Sequence, residues 1–189
     1  MVNSKQIESN RSPVAGPVLA VIMVIIVEAM FFGGLISAYV LAAAGQVEWP
    51  PASQPRLPVS ITFTNMLVLL FSAWTMWQYL KSVKKGKPSN YLQITIILGF
   101  IFYLVQGYEW FRILLFGVQT SHSLFASFFY TLIGLHGFHV LIGLLLLIFL
   151  WRYQKKGGKN LYNYSLAVGL FWFFVVALWP ILYNLIYLN

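Results

Sequence analysis

The 189-residue sequence has no cysteine, only four acidic residues and a charged fraction of only 8%. The absence of cysteine excludes disulfides, cysteine-ligated metals and thiol chemistry. About a quarter of the residues of a soluble domain are charged, so the low charged fraction and a 60% hydrophobic content exclude an ordinary soluble domain. The composition indicates a protein that crosses a membrane several times.

The basic residues outnumber the acidic ones, giving a formal net charge of +8, but they gather in short segments between apolar stretches. This clustering indicates a topology signal rather than nucleic-acid binding, which we exclude. The basic segments lie before span one, between spans two and three, and between spans four and five, which are all on the same side of the membrane. The positive-inside rule therefore predicts that the N-terminus lies inside and the C-terminus outside. The residues that carry this signal are Lys5, Arg11, Lys81, Lys84, Lys85, Lys87, Arg152, Lys155, Lys156 and Lys159.

Five apolar stretches are long enough to cross the hydrocarbon core as helices. Each must be helical because an open sheet would leave backbone groups unpaired in lipid. We therefore predict an all-α membrane protein, with a polar N-terminal segment at 1–17 and a single five-helix transmembrane bundle at 18–189. Short linkers make consecutive helices antiparallel neighbours, and the proline-rich loop 45–58 should form an irregular outer cap. The predicted spans are about 18–44, 59–80, 91–116, 124–151 and 161–188.

Glu28 is a carboxylate inside an otherwise uncharged run from Val18 to Ala44. An acid at membrane depth is energetically unfavourable, so its side chain should face protein, water or lipid headgroups. Such a residue is the default functional candidate in a span. Gly33 and Gly34 remove side-chain bulk beside it, which would let a neighbouring helix approach. The alternative is a protonated glutamate that only hydrogen-bonds to a partner helix.

Four further ionisable groups, Glu109, Arg112, His136 and His139, lie within the spans. Glu109 precedes Arg112 by one helical turn, which favours a local ion pair at the interface, although an intramembrane acid is also a functional candidate. His136 and His139 share one face of span four and could supply half of a metal site. The only other histidine, His122, lies in the loop before the same span, so a bis-histidine haem site has no second helix.

We therefore expect no metal bound by this chain. Both histidines should instead hydrogen-bond across helices as a structural polar pair, with Gly134, Gly137 and Gly143 allowing close packing. In span five, Trp172 and Trp179 fall on one face, which we interpret as a packing face. No nucleophile–base pair or phosphate-binding glycine loop occurs. The residues alone predict a membrane subunit with no catalytic centre of its own.

Taken together, several motifs resemble subunit III of the haem-copper respiratory oxidases. The resemblance runs from span one to the C-terminus, and its most specific part is the stretch Phe129-Tyr130 through Gly134-Leu135-His136-Gly137-Phe138-His139-Val140. The other matching stretches are Glu28-Ala29-Met30-Phe31-Phe32-Gly33-Gly34, Trp49-Pro50-Pro51, Thr64-Asn65, Leu69-Leu70-Phe71-Ser72 and Gln106-Gly107-Tyr108-Glu109.

The sequence departs from the family pattern in two ways. Longer members begin with two more helices that form one wall of a lipid-filled cleft, and these are absent here, as in shorter bacterial members. The family's last helix usually reads Trp-His-Phe-x-Asp-x-x-Trp, whereas Phe173 and Val176 replace its histidine and aspartate here. A polar network between spans four and five is therefore in doubt.

The resemblance implies an accessory subunit without redox cofactors in a proton-pumping terminal oxidase of a bacterial cytoplasmic (inner) membrane. Such a subunit packs against catalytic subunit I, which with other subunits carries the haem and copper, and it binds phospholipid and supports proton uptake and sustained turnover. Glu28 corresponds to the family's buried acid, which lies near subunit I and the lipid site. Two alternatives are the accessory subunit of a related nitric oxide reductase and a small ion or proton carrier that uses Glu28 and Glu109 as relay groups.

Overall fold

The protein is described by a computed structural model that covers residues 16–49, 59–116 and 124–188. Five long helices account for nearly all of these ranges, which contain no β-strand, and α5 continues into one π-helical turn at Asn184–Leu188. All five are long and apolar enough to cross a membrane. The helices are α1 Gly16–Ala44, α2 Val59–Lys84, α3 Tyr91–Phe116, α4 Leu124–Lys155 and α5 Leu161–Tyr183.

The predicted all-α class and the five spans are confirmed. Residues 1–15, most of the proline-rich loop and His122 lie outside the described residues, as do the predictions made for them. Two helices run further than their apolar stretches indicate, because α2 continues to Lys84 and α4 to Lys155. Cations in a last turn interact favourably with the helix dipole, which extends helical geometry into the basic segments.

Glycines terminate both of these helices. Gly86 and Gly157 adopt φ values of 70° and 66°, in the left-handed region that favours glycine. The residue after each glycine donates its N–H to the carbonyl five residues earlier, from Lys87 to Ser82 and from Gly158 to Tyr153. This pattern is a Schellman motif, which satisfies carbonyls that a helix end would otherwise leave unpaired.

Consecutive helices are antiparallel, as predicted from the short linkers, but the prediction that they are all neighbours is wrong for α1 and α2, because α1 packs against α4 and α5 instead. Between α3 and α4, Gly99 lies beside Leu144, whereas Trp110 lies beside Gly134. Helix α5 contacts α1, α2 and α4 and carries the two largest fully buried side chains of the described residues, Trp172 and Trp179. Helix α1 instead packs only against α4 and α5 to any extent and leaves most of its apolar side chains exposed.

Trp172 occupies the centre of the bundle and is fully buried. Its indole Nε1–H donates to Ser72 Oγ of α2 at 3.1 Å, which satisfies its one polar atom. The ring lies against two glycines from other helices, Gly99 and Gly143. A Cβ atom at either position would lie only 2.8 Å from a Trp172 ring carbon. Small residues at these two positions therefore let α3 and α4 approach α5.

We predict that Gly143→Ala lowers the free energy of unfolding relative to Gly137→Ala by about 1–3 kcal/mol, the usual cost of overpacking a core. The two substitutions lie on the same helix and gain the same helix propensity, but a Cβ at Gly137 meets no atom within 4 Å. Equilibrium unfolding in mixed detergent micelles measures the difference. Equal stabilities would show that Trp172 does not fill the space beside Gly143.

Candidate functional site

Glu28 of α1 and His139 of α4 meet across the helix interface. Glu28 Oε2 lies 3.1 Å from His139 Nε2, and the side chains are 26% and 8% exposed, respectively. Each residue lies near the middle of its helix, with Glu28 about 18 Å along the axis from Gly16 at 1.5 Å per residue. The pair therefore lies at membrane depth, where each polar group needs a partner inside the protein.

The second ring nitrogen of His139 determines how the pair is protonated. His139 Nδ1 lies 2.7 Å from the Leu135 carbonyl oxygen, one turn earlier on α4. Since a carbonyl can only accept, Nδ1 carries hydrogen and donates, and a neutral ring then has a bare Nε2. A hydrogen bond between Nε2 and Glu28 therefore requires one shared proton, held either by the carboxyl or by the imidazole.

Apolar groups surround this pair. Phe32 follows Glu28 by one turn, is fully buried and presents its ring edge-on to His139, with the ring centroids 5.2 Å apart. Both proton positions leave the pair with no net charge, whereas a lone carboxylate here would be a buried, unpaired charge. The geometry can hold one proton between α1 and α4 and join the most exposed helix to the bundle.

Glu109 lies in a different part of the bundle and has a local partner. Its Oε1 is 3.7 Å from Arg112 Nη1 on the same helix, and its side chain is 6% exposed whereas that of Arg112 is 54% exposed. One turn earlier, Gln106 Nε2 donates to the Tyr187 hydroxyl at 3.3 Å. The structure thus brings Glu109 to Arg112 and does not bring it to Glu28.

His136 does not make the cross-helix hydrogen bond that the sequence predicted. It is buried, its ring stacks on Trp179 of α5 at a centroid distance of 4.9 Å, and neither ring nitrogen has a hydrogen-bond partner among the described residues. The physical reason is the composition of α5, where Val176 stands one turn before Trp179 and offers no polar group. The two histidines of one face therefore have different surroundings.

The sequence singled out Glu28 and His139 separately and did not pair them. Their positions near the midpoints of two antiparallel helices were a signal that they lie at the same depth. Within the described residues, no group of three His, Asp or Glu side chains could hold a metal ion.

The fold and this site define a class of protein, a polytopic helical membrane subunit whose first span is tied to the bundle by an acid–histidine pair. Residues 7–189 match the family described as cytochrome c oxidase subunit III. The chain therefore belongs to the cytochrome c oxidase subunit III family, which confirms the resemblance drawn from its motifs.

Individual relatives agree with this assignment. The chain is 33% identical over 174 residues to a cytochrome c oxidase subunit 3 of Synechocystis sp., an alignment that covers 89% of this chain and 73% of the relative. It is 31% identical over 177 residues to the protein of that name from Thermostichus vulcanus, covering 90% and 86%. A third relative of the same name, from Bacillus sp., is 31% identical over 166 residues, covering 85% and 80%.

We predict that Glu28→Leu and His139→Leu each lower the free energy of unfolding by about 1–3 kcal/mol, because each leaves a buried or half-buried polar partner unpaired. The double variant should lower the free energy of unfolding by less than the sum of the two single losses, since removing both partners leaves no unpaired group. Unfolding in mixed detergent micelles measures the cycle, with Met30→Leu, an exposed site on α1, as the control. Additive losses would contradict a direct interaction.

Proposed function

We propose that this chain is the non-redox accessory subunit III of a proton-pumping respiratory terminal oxidase, which reduces oxygen to water in aerobic electron transport. Family membership over residues 7–189 is the observation that supports this proposal most strongly. The relatives are named as subunits of cytochrome c oxidase, which favours oxygen over nitric oxide as the substrate of the complex. The chemistry of reduction would take place at haem and copper in partner subunits.

The proposed location is a bacterial cytoplasmic membrane, with the N-terminus inside. Helices α2 and α4 both end in basic turns, at Lys81 and Lys84 and at Arg152 and Lys155. Because α2 and α4 are both antiparallel to α3, these turns lie at the same end of the bundle. The positive-inside rule supports placing that end in the cytoplasm.

Catalytic subunit I and phospholipid are the proposed neighbours of α1. Apolar side chains cover most of this helix and remain exposed, including Met23, Val27, Met30 and Leu41. A surface of this kind suits acyl chains or the apolar helices of another subunit. Glu28 retains partial exposure at the edge of this surface, so a lipid or a partner chain could contact the Glu28–His139 pair from outside.

In this proposal the Glu28–His139 pair keeps α1 and its neighbours in place during turnover and does not transfer electrons. An ion carrier that uses Glu28 and Glu109 as relay groups has less support. The two carboxyls lie on α1 and α3, and each has a partner of its own in His139 or Arg112.

The test is purification through a tag on this chain in mild detergent, followed by a reduced-minus-oxidised visible spectrum and an oxygen-uptake assay. We expect haem to co-purify together with oxygen uptake. A colourless, monodisperse protein, obtained under conditions that keep other respiratory complexes intact, would contradict the subunit assignment.

We further predict that Glu28→Gln leaves the haem spectrum of the purified complex unchanged and shortens the time over which it sustains turnover. The amide cannot share a proton with His139 Nε2 as a carboxyl does, which weakens the α1–α4 contact. Glu48→Gln is the matched control, because Glu48 is exposed beyond the end of α1. Loss of the haem signals in an assembled complex would give Glu28 a role that this proposal does not.

A further inference from the structure

A cavity of about 270 Å³ lies between α3 and α4, and His136 lines it whereas His139 does not. His136 lines it near the middle of α4, about 18 Å along the axis from Leu124 at 1.5 Å per residue. Phe138 also lines the cavity and is 57% exposed, so the cavity reaches the outer surface of the bundle. It is therefore at membrane depth and accessible from the side.

Three of the side chains that line this cavity carry buried polar atoms without hydrogen-bond partners in the described part of the chain. They are His136 with both ring nitrogens, Gln106 with Oε1 and Trp110 with Nε1. The Gln106 amide is oriented by its Nε2, which donates to the Tyr187 hydroxyl, and its Oε1 has no partner among the described residues. A buried donor or acceptor that stays unpaired loses its hydration without compensation, so each of these three side chains calls for a partner.

The unpaired atoms define the chemistry of that partner. Trp110 Nε1–H can only donate and Gln106 Oε1 can only accept, whereas a neutral imidazole has one donor and one acceptor. No Asp, Glu, Lys or Arg side chain lines the cavity, which favours a neutral ligand. Hydroxyl groups both donate and accept, and the volume has room for several of them.

We propose that the cavity binds neutral hydroxyl groups that hydrogen-bond to His136, Gln106 and Trp110. These hydroxyls come from a cluster of water molecules or from the uncharged, hydroxylated headgroup of an amphiphile that enters beside Phe138. An acyl chain alone does not fit, because it would leave all three polar side chains unpaired. The site is separate from the Glu28–His139 pair. Its tests use the complex of the proposed function, which the haem co-purification experiment establishes first.

The direct test is a cryo-electron microscopy map of the tagged, intact complex in lipid nanodiscs, at a resolution that shows ordered water. Separate rounded peaks within hydrogen-bonding distance of the His136 nitrogens and Gln106 Oε1 would identify water. Elongated density with its polar end at these atoms would identify an amphiphile, which mass spectrometry of the extracted lipids then defines. An acyl chain or a partner side chain that fills the cavity without polar contacts, or a closed cavity, would overturn the proposal.

A variant test uses the open space at Gly137, which lines the cavity and where a Cβ meets no atom within 4 Å. Gly137→Leu should remove the hydroxyl density and lower the temperature at which this chain leaves the complex. Gly137→Ala is the matched control, because it adds one carbon at the same glycine, where a Cβ meets no atom within 4 Å, and leaves most of the cavity open.

His136→Phe separates loss of hydroxyl binding from simple overpacking. A phenyl ring can stack on Trp179 as the imidazole does but needs no polar partner. We therefore expect Gly137→Leu to lower the release temperature less in the His136→Phe background than in the native one. Equal shifts in both backgrounds would overturn the assignment of His136 to the site.

Discussion

A carboxyl at membrane depth needs a partner that the lipid cannot supply, and this constraint determines how the first helix is held. Glu28 satisfies it with His139, whose other nitrogen is fixed by the Leu135 carbonyl. Because α1 buries few of its own side chains, this contact carries more weight than one hydrogen bond would in a well-packed interface. The same pair avoids an isolated charge in the apolar interior and joins the middle of α1 to the middle of α4.

The rest of the bundle is held by close packing around α5. Lipid tails are as apolar as leucine, so helices in a membrane associate through shape and hydrogen bonds rather than through hydrophobic burial. Trp172 supplies both, because its ring meets Gly99 and Gly143 and its indole nitrogen reaches Ser72. The other four helices thus pack around this side chain, with α1 attached at their edge. That arrangement suits an accessory subunit that offers one helix to a larger complex.

Sequence patterns predicted the five helices because a membrane span needs about 20 consecutive apolar residues, and runs of that length can be read directly from a sequence. They also identified Glu28 as the residue to explain. They did not pair it with His139, since helix rotation depends on packing that a single sequence does not specify. The expectation for His136 failed for a related reason. Hydrogen bonding across helices was assumed from the residue type, whereas the residue of α5 that His136 meets is Trp179, on which its ring stacks.

The central claim, that Glu28 and His139 share one proton and thereby join α1 to the bundle, is tested most directly by solid-state nuclear magnetic resonance of the complex labelled with ¹⁵N-histidine. The account predicts that His139 Nδ1 carries a proton, that Nε2 has the shift of a hydrogen-bonded nitrogen, and that only the His139 signals move in Glu28→Gln. His139 signals that are the same in both proteins would contradict it.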